Sequence, residues 1–216
     1  MDNRILWFGL LIVVFLTAFA NDRLFNTQEN VNGEFSTYTY VGKLDTYNFM
    51  INPQGDHFLN WSITYKVNDI MQEVKNYQTP YPYGPRDLIN ISTVNFRGLF
   101  QGSQMVYITR DIDLDTKTGS QIVVSLLSLD RLVEKFKGPE NTWLAVIEEN
   151  DKSRELHLPL MTCDDATPER MVIWLKEGTE NKIYNQGDYC VVGEFIEGED
   201  PNLVATRIAY HIIGVM

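Results

Sequence analysis

The spacing of apolar residues changes character along this chain. Residues 5–20 (ILWFGLLIVVFLTAFA) form an uncharged run interrupted only by Gly9 and Thr17. As a helix the run extends roughly 24 Å at 1.5 Å per residue, somewhat short of a hydrocarbon core of about 30 Å. From residue 34 the period becomes two. Phe35, Thr37, Thr39 and Val41 alternate with Ser36, Tyr38 and Tyr40, and Leu59, Trp61, Ile63 and Tyr65 alternate with Phe58, Asn60, Ser62 and Thr64. Both stretches read as half-buried strands. Between them, residues 47–51 and the turn at 52–56 suggest a hairpin, and Asn60 falls on the more polar face. Asp69 with Gln72 suggests a short helix over 70–77, and the prolines of 79–86 (TPYPYGPR) an irregular loop.

Further on, 92–96 and 104–109 read as strands. Residues 118–137 then carry the strongest helical pattern, with Ile122, Leu126, Leu129, Val133 and Phe136 on one face and Val123 and Leu127 widening it. Gly138-Pro139 stops that helix. Strands are expected at 143–147 and 156–160, joined by a charged turn at 148–154, and again at 171–175 and 189–196. Asp200-Pro201 opens a last helix whose buried face is Ala205, Ile208, Ala209 and Ile212. The order implies α+β: an N-terminal membrane or signal helix, then a mixed β-sheet domain with one long and one C-terminal helix. Strands before and after the long helix are placed to pair in parallel, so a three-layer α/β sandwich is the alternative. The expected organisation is a leader over 1–20, a polar lead-in over 21–33, and one extracytoplasmic domain over 34–216 with a possible subdivision near 80–90.

Ala18-Phe19-Ala20 is an A-x-A site where a signal peptidase would cut, and an uncleaved signal anchor is the rival reading. Arg4 precedes the apolar run while Asp22 and Arg23 cancel after it, which directs the domain to the non-cytoplasmic side. The predicted location is therefore a cell membrane with the domain outside, or the medium. The formal charge of the chain is -11, and Asp2 and Arg4 cancel, so the excess lies beyond the leader. Such a surface repels phosphate backbones, and no Lys/Arg cluster reverses it, so nucleic acid is not an expected partner. An exported chain with two cysteines, Cys163 and Cys190, points to a disulfide, with two buried thiols as the alternative. Asn60-Trp61-Ser62 and Asn90-Ile91-Ser92 are glycosylation acceptors in such a compartment.

Candidate chemistry is sparse. Asp111, Asp113 and Asp115 resemble the start of a calcium loop, but Thr116 stands where a turn glycine belongs and Ile122 where a bidentate glutamate belongs. Their other reading is favourable charge at the N-terminus of the long helix. His57, His157 and His211 lack companions at metal spacing; His157 and His211 read as solvent-facing residues. Nucleophile elbows, phosphate loops and dinucleotide fingerprints are absent, and no cofactor is implied. Tyr77, Tyr81 and Tyr83 with their prolines form a candidate binding loop for sugar or protein, or a stiffened loop packed on its own domain.

One resemblance adds to this. Tyr107-Ile108-Thr109-Arg110-Asp111, Cys163 with Ala166-Thr167, Asn181-Lys182-Ile183, Cys190-Val191-Val192 and the ending Ile213-Gly214-Val215-Met216 make residues 80–216 similar to a group of uncharacterised archaeal exported proteins with one N-terminal apolar segment. Pro85-Arg86-Asp87 fits as well, while Tyr83-Gly84 stands where a basic residue is usual. The resemblance implies an archaeal surface protein and supports the disulfide, and it carries no activity. The functional expectation is a non-enzymatic surface protein, tethered through 5–20 or secreted, binding a protein or glycan partner in the envelope. An accessory subunit of a membrane complex and an extracellular carboxylate-dependent hydrolase are the alternatives.

Overall fold

The computed structural model describes residues 25–28, 36–42, 46–52, 55–66, 72–111 and 116–216. The leader over 1–20, and with it the membrane or signal helix, lies outside the described residues. Among the described residues no helix is long and apolar enough to cross a membrane. The fold is mixed α+β, and the chain divides into two compact units, the first closing at Pro80 and the second covering Tyr81–Gly214.

The first unit is a five-stranded sheet in simple order: β1 (Phe25–Gln28), β2 (Ser36–Val41), β3 (Thr46–Ile51), β4 (His57–Lys66) and β5 (Gln72–Tyr81). Successive pairs from β1 to β4 are antiparallel. The period-two pattern sorts the two faces, because neighbouring side chains of a strand point to opposite sides. Tyr38, Tyr47, Phe49, Leu59 and Trp61 are buried on one face, in a register that sets Tyr38 opposite Phe49 and Phe49 opposite Leu59. Tyr38 stacks on Phe49 with ring centroids 4.9 Å apart. Part of the polar lead-in is thus strand β1, and the helix expected over 70–77 is replaced by β5. In β5, Thr79 accepts the Trp61 indole N–H at 3.0 Å and Tyr77 packs on the Trp61 ring at 4.8 Å. These contacts come from β4 and outweigh a weak local capping signal.

The second unit holds a six-stranded mixed sheet of order β6-β10-β11-β9-β7-β8, formed by β6 (Ser92–Thr93), β7 (Met105–Arg110), β8 (Thr142–Val146), β9 (Arg170–Gly178), β10 (Lys182–Asn185) and β11 (Cys190–Ile196). Its helices are α1 (Arg97–Gly102), α2 (Thr116–Lys137), α3 (Asp151–Glu155) and α4 (Asn202–Ile213). The parallel pairing expected across the long helix is present, from Val106 opposite Thr142 to Arg110 opposite Val146. β9 and β11 also run parallel, and β10 is antiparallel to β11, so β11 fills the slot between β9 and β10. Helix α2 packs on β7, β8 and α4, and α4 packs on β11.

Several local expectations are revised. Ile122, Leu126, Leu129, Leu132 and Val133 of α2 are buried, but Val123 and Leu127, expected to widen the packed face, are 37% and 39% exposed beside Val124 at 56%. The α2 surface turned to α4 is narrower, and the Ser125 hydroxyl closes it by donating to Asn202 Oδ1 at 2.9 Å. Gly138 ends the helix at φ 87, a left-handed conformation that favours glycine. The strand expected over 156–160 is instead the exit from α3: Asn150 Oδ1 accepts the Ser153 N–H and Ser153 Oγ accepts the Asn150 N–H, both at 2.9 Å, which starts a helical turn. Contact with the sheet is an isolated bridge of Leu160 to Val146, whose N–H donates to the Pro159 carbonyl at 3.0 Å. Of the strand expected over 92–96, only β6 forms.

Candidate ligand-binding face

Around Asn48 and Asn60, the solvent side of the first unit's sheet carries uncharged side chains among the described residues. Registered pairs place Thr37 beside Met50, Thr39 beside Asn48, Val41 beside Thr46, Asn48 beside Asn60 and Met50 beside Phe58. Asn48, Asn60, Ser62, Asn76 and Gln78 are exposed, and no charged residue is among them. In a chain of charge -11, these registered hydroxyls and amides stand beside the apolar Val41, Met50 and Phe58.

These groups are ordered by one another. Thr39 Oγ1 donates to Asn48 Oδ1 at 3.2 Å, and Gln78 Nε2 donates to Asn60 Oδ1 at 3.1 Å. Thr39, Asn48, Asn60 and Gln78 therefore make a polar row across β2, β3, β4 and β5. Each asparagine is held by its oxygen, and its amide nitrogen has no partner among the described residues. Beside this row Met50 and Phe58 supply apolar surface. Two depressions lie along the sheet, one of about 350 Å³ lined by Thr37, Tyr38, Thr39, Asn48, Phe49, Met50 and Asn60, the other of about 450 Å³ lined by Asn60, Trp61, Ser62, Asn76, Tyr77 and Gln78. Asn60 belongs to both.

A second cluster stands at the carboxyl ends of β9 and β11, where open α/β sheets commonly bind ligands. Buried Glu194 accepts the Thr179 N–H at 3.1 Å and the Tyr184 hydroxyl at 3.3 Å. It also pairs with Lys182 at 3.6 Å and Lys176 at 3.8 Å. Lys176 sits 5.0 Å from the Trp174 ring centre and Lys182 5.4 Å from that of Tyr184. A Cβ at Gly178 would collide with the Glu194 carboxylate, so glycine there makes the room. Both carboxylate oxygens are engaged by neighbours within the cluster, which makes it an internal brace of the sheet.

The residues singled out in the sequence are dispersed. Cys163 and Cys190 form the disulfide, tying the loop before β9 to the start of β11. Around it Ala145, Met161, Val172 and Val192 form an apolar cluster. The loop itself is held by Thr162, whose N–H and hydroxyl both donate to Asp165; these two bonds keep the Asp165 carboxyl below the usual range. Asn90 is exposed in a turn, whereas Asn60 lies within β4. Asp111 is half-buried, and Asp113 and Asp115 lie outside the described residues. Among the described residues no group of His, Cys, Asp or Glu could hold a metal ion.

The tyrosine loop is not a shared exposed surface. Tyr77 is on β5 and half-buried, and Tyr81 is buried against the Tyr210 ring at 4.9 Å. Tyr83 donates to Asp200 Oδ2 at 2.8 Å and accepts the Tyr210 hydroxyl on its carbonyl at 2.7 Å. Burial raises the pKa of both Tyr81 and Tyr83, and at Tyr83 the bond to Asp200 adds to it. His157 is exposed with φ 52. His211 is buried rather than solvent-facing: Nε2 accepts the Phe96 N–H at 3.3 Å and Nδ1 lies 3.1 Å from the Met216 main-chain oxygen. His57 Nδ1 lies 2.8 Å from the Tyr38 hydroxyl.

The sequence pattern puts Asn60 on a polar face, but only the strand register assembles Thr39, Asn48 and Gln78 around it. The available signal was the recurrence of Thr, Asn, Ser and Gln at every second position of consecutive strands. Comparison of the chain with family models, with curated proteins and with solved structures returns no match.

Proposed function

We propose that this chain is a non-enzymatic binding protein of the cell envelope, delivered by residues 5–20 to the outside of a membrane and either tethered there or released after Ala20. Its ligand is an uncharged envelope component held on the five-stranded sheet. The observation that carries the reading is the row Thr39, Asn48, Asn60 and Gln78, in which side-chain bonds fix two amides and leave their nitrogens to donate outward; the reading takes Asn60 as unglycosylated, because a glycan would occupy its nitrogen. Preorganised donors lose little entropy on binding. The two depressions are lined without charged residues, so an uncharged partner there meets no ion to desolvate.

Cosedimentation of the full chain with an envelope preparation from the native host tests this. Asn48→Asp and Asn60→Asp each keep the oxygen that Thr39 or Gln78 bonds, but remove the free amide donors and add a negative charge. Each substitution is expected to reduce the bound fraction at least about fivefold while leaving the melting temperature within about 2 °C, the scale of a surface change. Unchanged cosedimentation of both variants refutes the reading. A second reading, an accessory subunit of a membrane complex, is favoured by the exposed Val123, Val124 and Leu127 on α2. For the hydrolase reading, Asp130 and Glu134, one turn apart on α2, influence one another electrostatically, and neither lines the depressions of the sheet.

A further inference from the structure

We infer that the component bound on the polar row of the five-stranded sheet is a neutral, extended polysaccharide lying across the strands. This rests on the binding reading above and names the ligand class. Neighbouring strands are about 4.8 Å apart, close to the length of one sugar ring in an extended chain, so the row from Thr39 to Gln78 offers one polar group per ring over about 14 Å. Asn48 and Asn60 are directly registered on adjacent strands. The oxygen of each is engaged by a flanking side chain, so the amide nitrogens donate to hydroxyl oxygens, while Gln78 Oε1 and the lone pairs of Thr39 Oγ1 accept from hydroxyl hydrogens.

Sugar rings also present C–H faces, and the neighbouring row meets this need. Met50 and Phe58 are registered beside each other and half-buried, an apolar strip parallel to the polar one. The two depressions meet at Asn60, so a ligand that fills both is longer than a single ring. Absence of Lys and Arg from the lining disfavours a uronic or phosphorylated polymer, which would also be repelled by the net charge of -11. A peptide adding to this sheet would use an edge, where backbone groups are free, rather than the face.

Titration of the full chain with neutral oligosaccharides of one to six units, drawn from glucans, mannans, galactans and N-acetylglucosamine polymers, tests the inference. For at least one series the affinity is expected to rise at least about tenfold from one unit to three or four and then level off, as the row is filled. Asn60→Asp is expected to lower the plateau affinity about tenfold, the loss of roughly one charge-neutral contact pair with added repulsion. Flat length dependence, no binding in any series, or tighter binding of polygalacturonate overturns the polysaccharide assignment. If none of the oligosaccharides binds yet Asn48→Asp and Asn60→Asp still abolish envelope cosedimentation, the face remains the binding site and only the ligand class falls. If the variants cosediment normally, both readings fall.

Discussion

Asp130 shows how one residue on α2 ties stability to pH. Burial raises its pKa and Glu134, one turn on, adds to this, while Arg131 opposes. A carboxyl raised in the folded state contributes stability that is complete below its unfolded pKa and is lost as pH rises through the folded value. Asp130→Asn is therefore expected to melt at or above the parent temperature at pH 7, with the advantage vanishing below about pH 4; thermal melts across that range check the sign. At this same scale some assignments were hidden from the sequence. His211 and Tyr81 look like surface residues because their partners, Phe96 and Tyr210, are more than a hundred positions away along the chain. Local pattern reports polarity, and burial of a polar ring depends on a distant main-chain or aromatic partner. Leu59 and Trp61 were legible because their alternation with Asn60 and Ser62 is local.

Among elements, α2, β7, β8, β11 and α4 follow from period, caps and stop signals. Asp69 and Gln72 mimic a capping pair that predicts a helix over 70–77, whereas the strand β5 is selected by Trp61 on β4. The alternation of leucines over 156–160 imitates a strand, but His157 at φ 52 interrupts extended backbone and Leu156 and Leu160 remain over half exposed. The Asn150 and Ser153 pair that starts α3 was a readable signal. The disulfide is an element-scale device, because it pins the loop before β9 to β11 across a sequence separation of 27. Closing a loop of that size stabilises by about 3–4 kcal/mol in the chain-entropy model. Reduction, or Cys163→Ser with Cys190→Ser, is expected to lower unfolding free energy by about that amount in urea titrations; an unchanged midpoint would assign the stability of this corner to the apolar cluster alone.

For the whole molecule, the fold class and the acidic balance were legible, and the register that assembles Thr39, Asn48, Asn60 and Gln78 was not. Strand pairing is non-local, and a slip of one residue would have sent the asparagines to the buried side. The row is therefore a property of the assembled sheet. A row of uncharged side chains on a molecule of charge -11 should bind with little dependence on ionic strength, unlike contacts made through surface charges, which salt screens. Hydroxyl-radical footprinting of the full chain on the native envelope preparation locates the bound ligand, because Met50 and Phe58 lie beside the row and thioethers oxidise readily. Met50 and Phe58 should be protected while Trp143 of β8 is oxidised as in the free protein. Unchanged oxidation at Met50 with protection of Trp143, or of Leu127 on α2, would place the ligand elsewhere and contradict the proposed site.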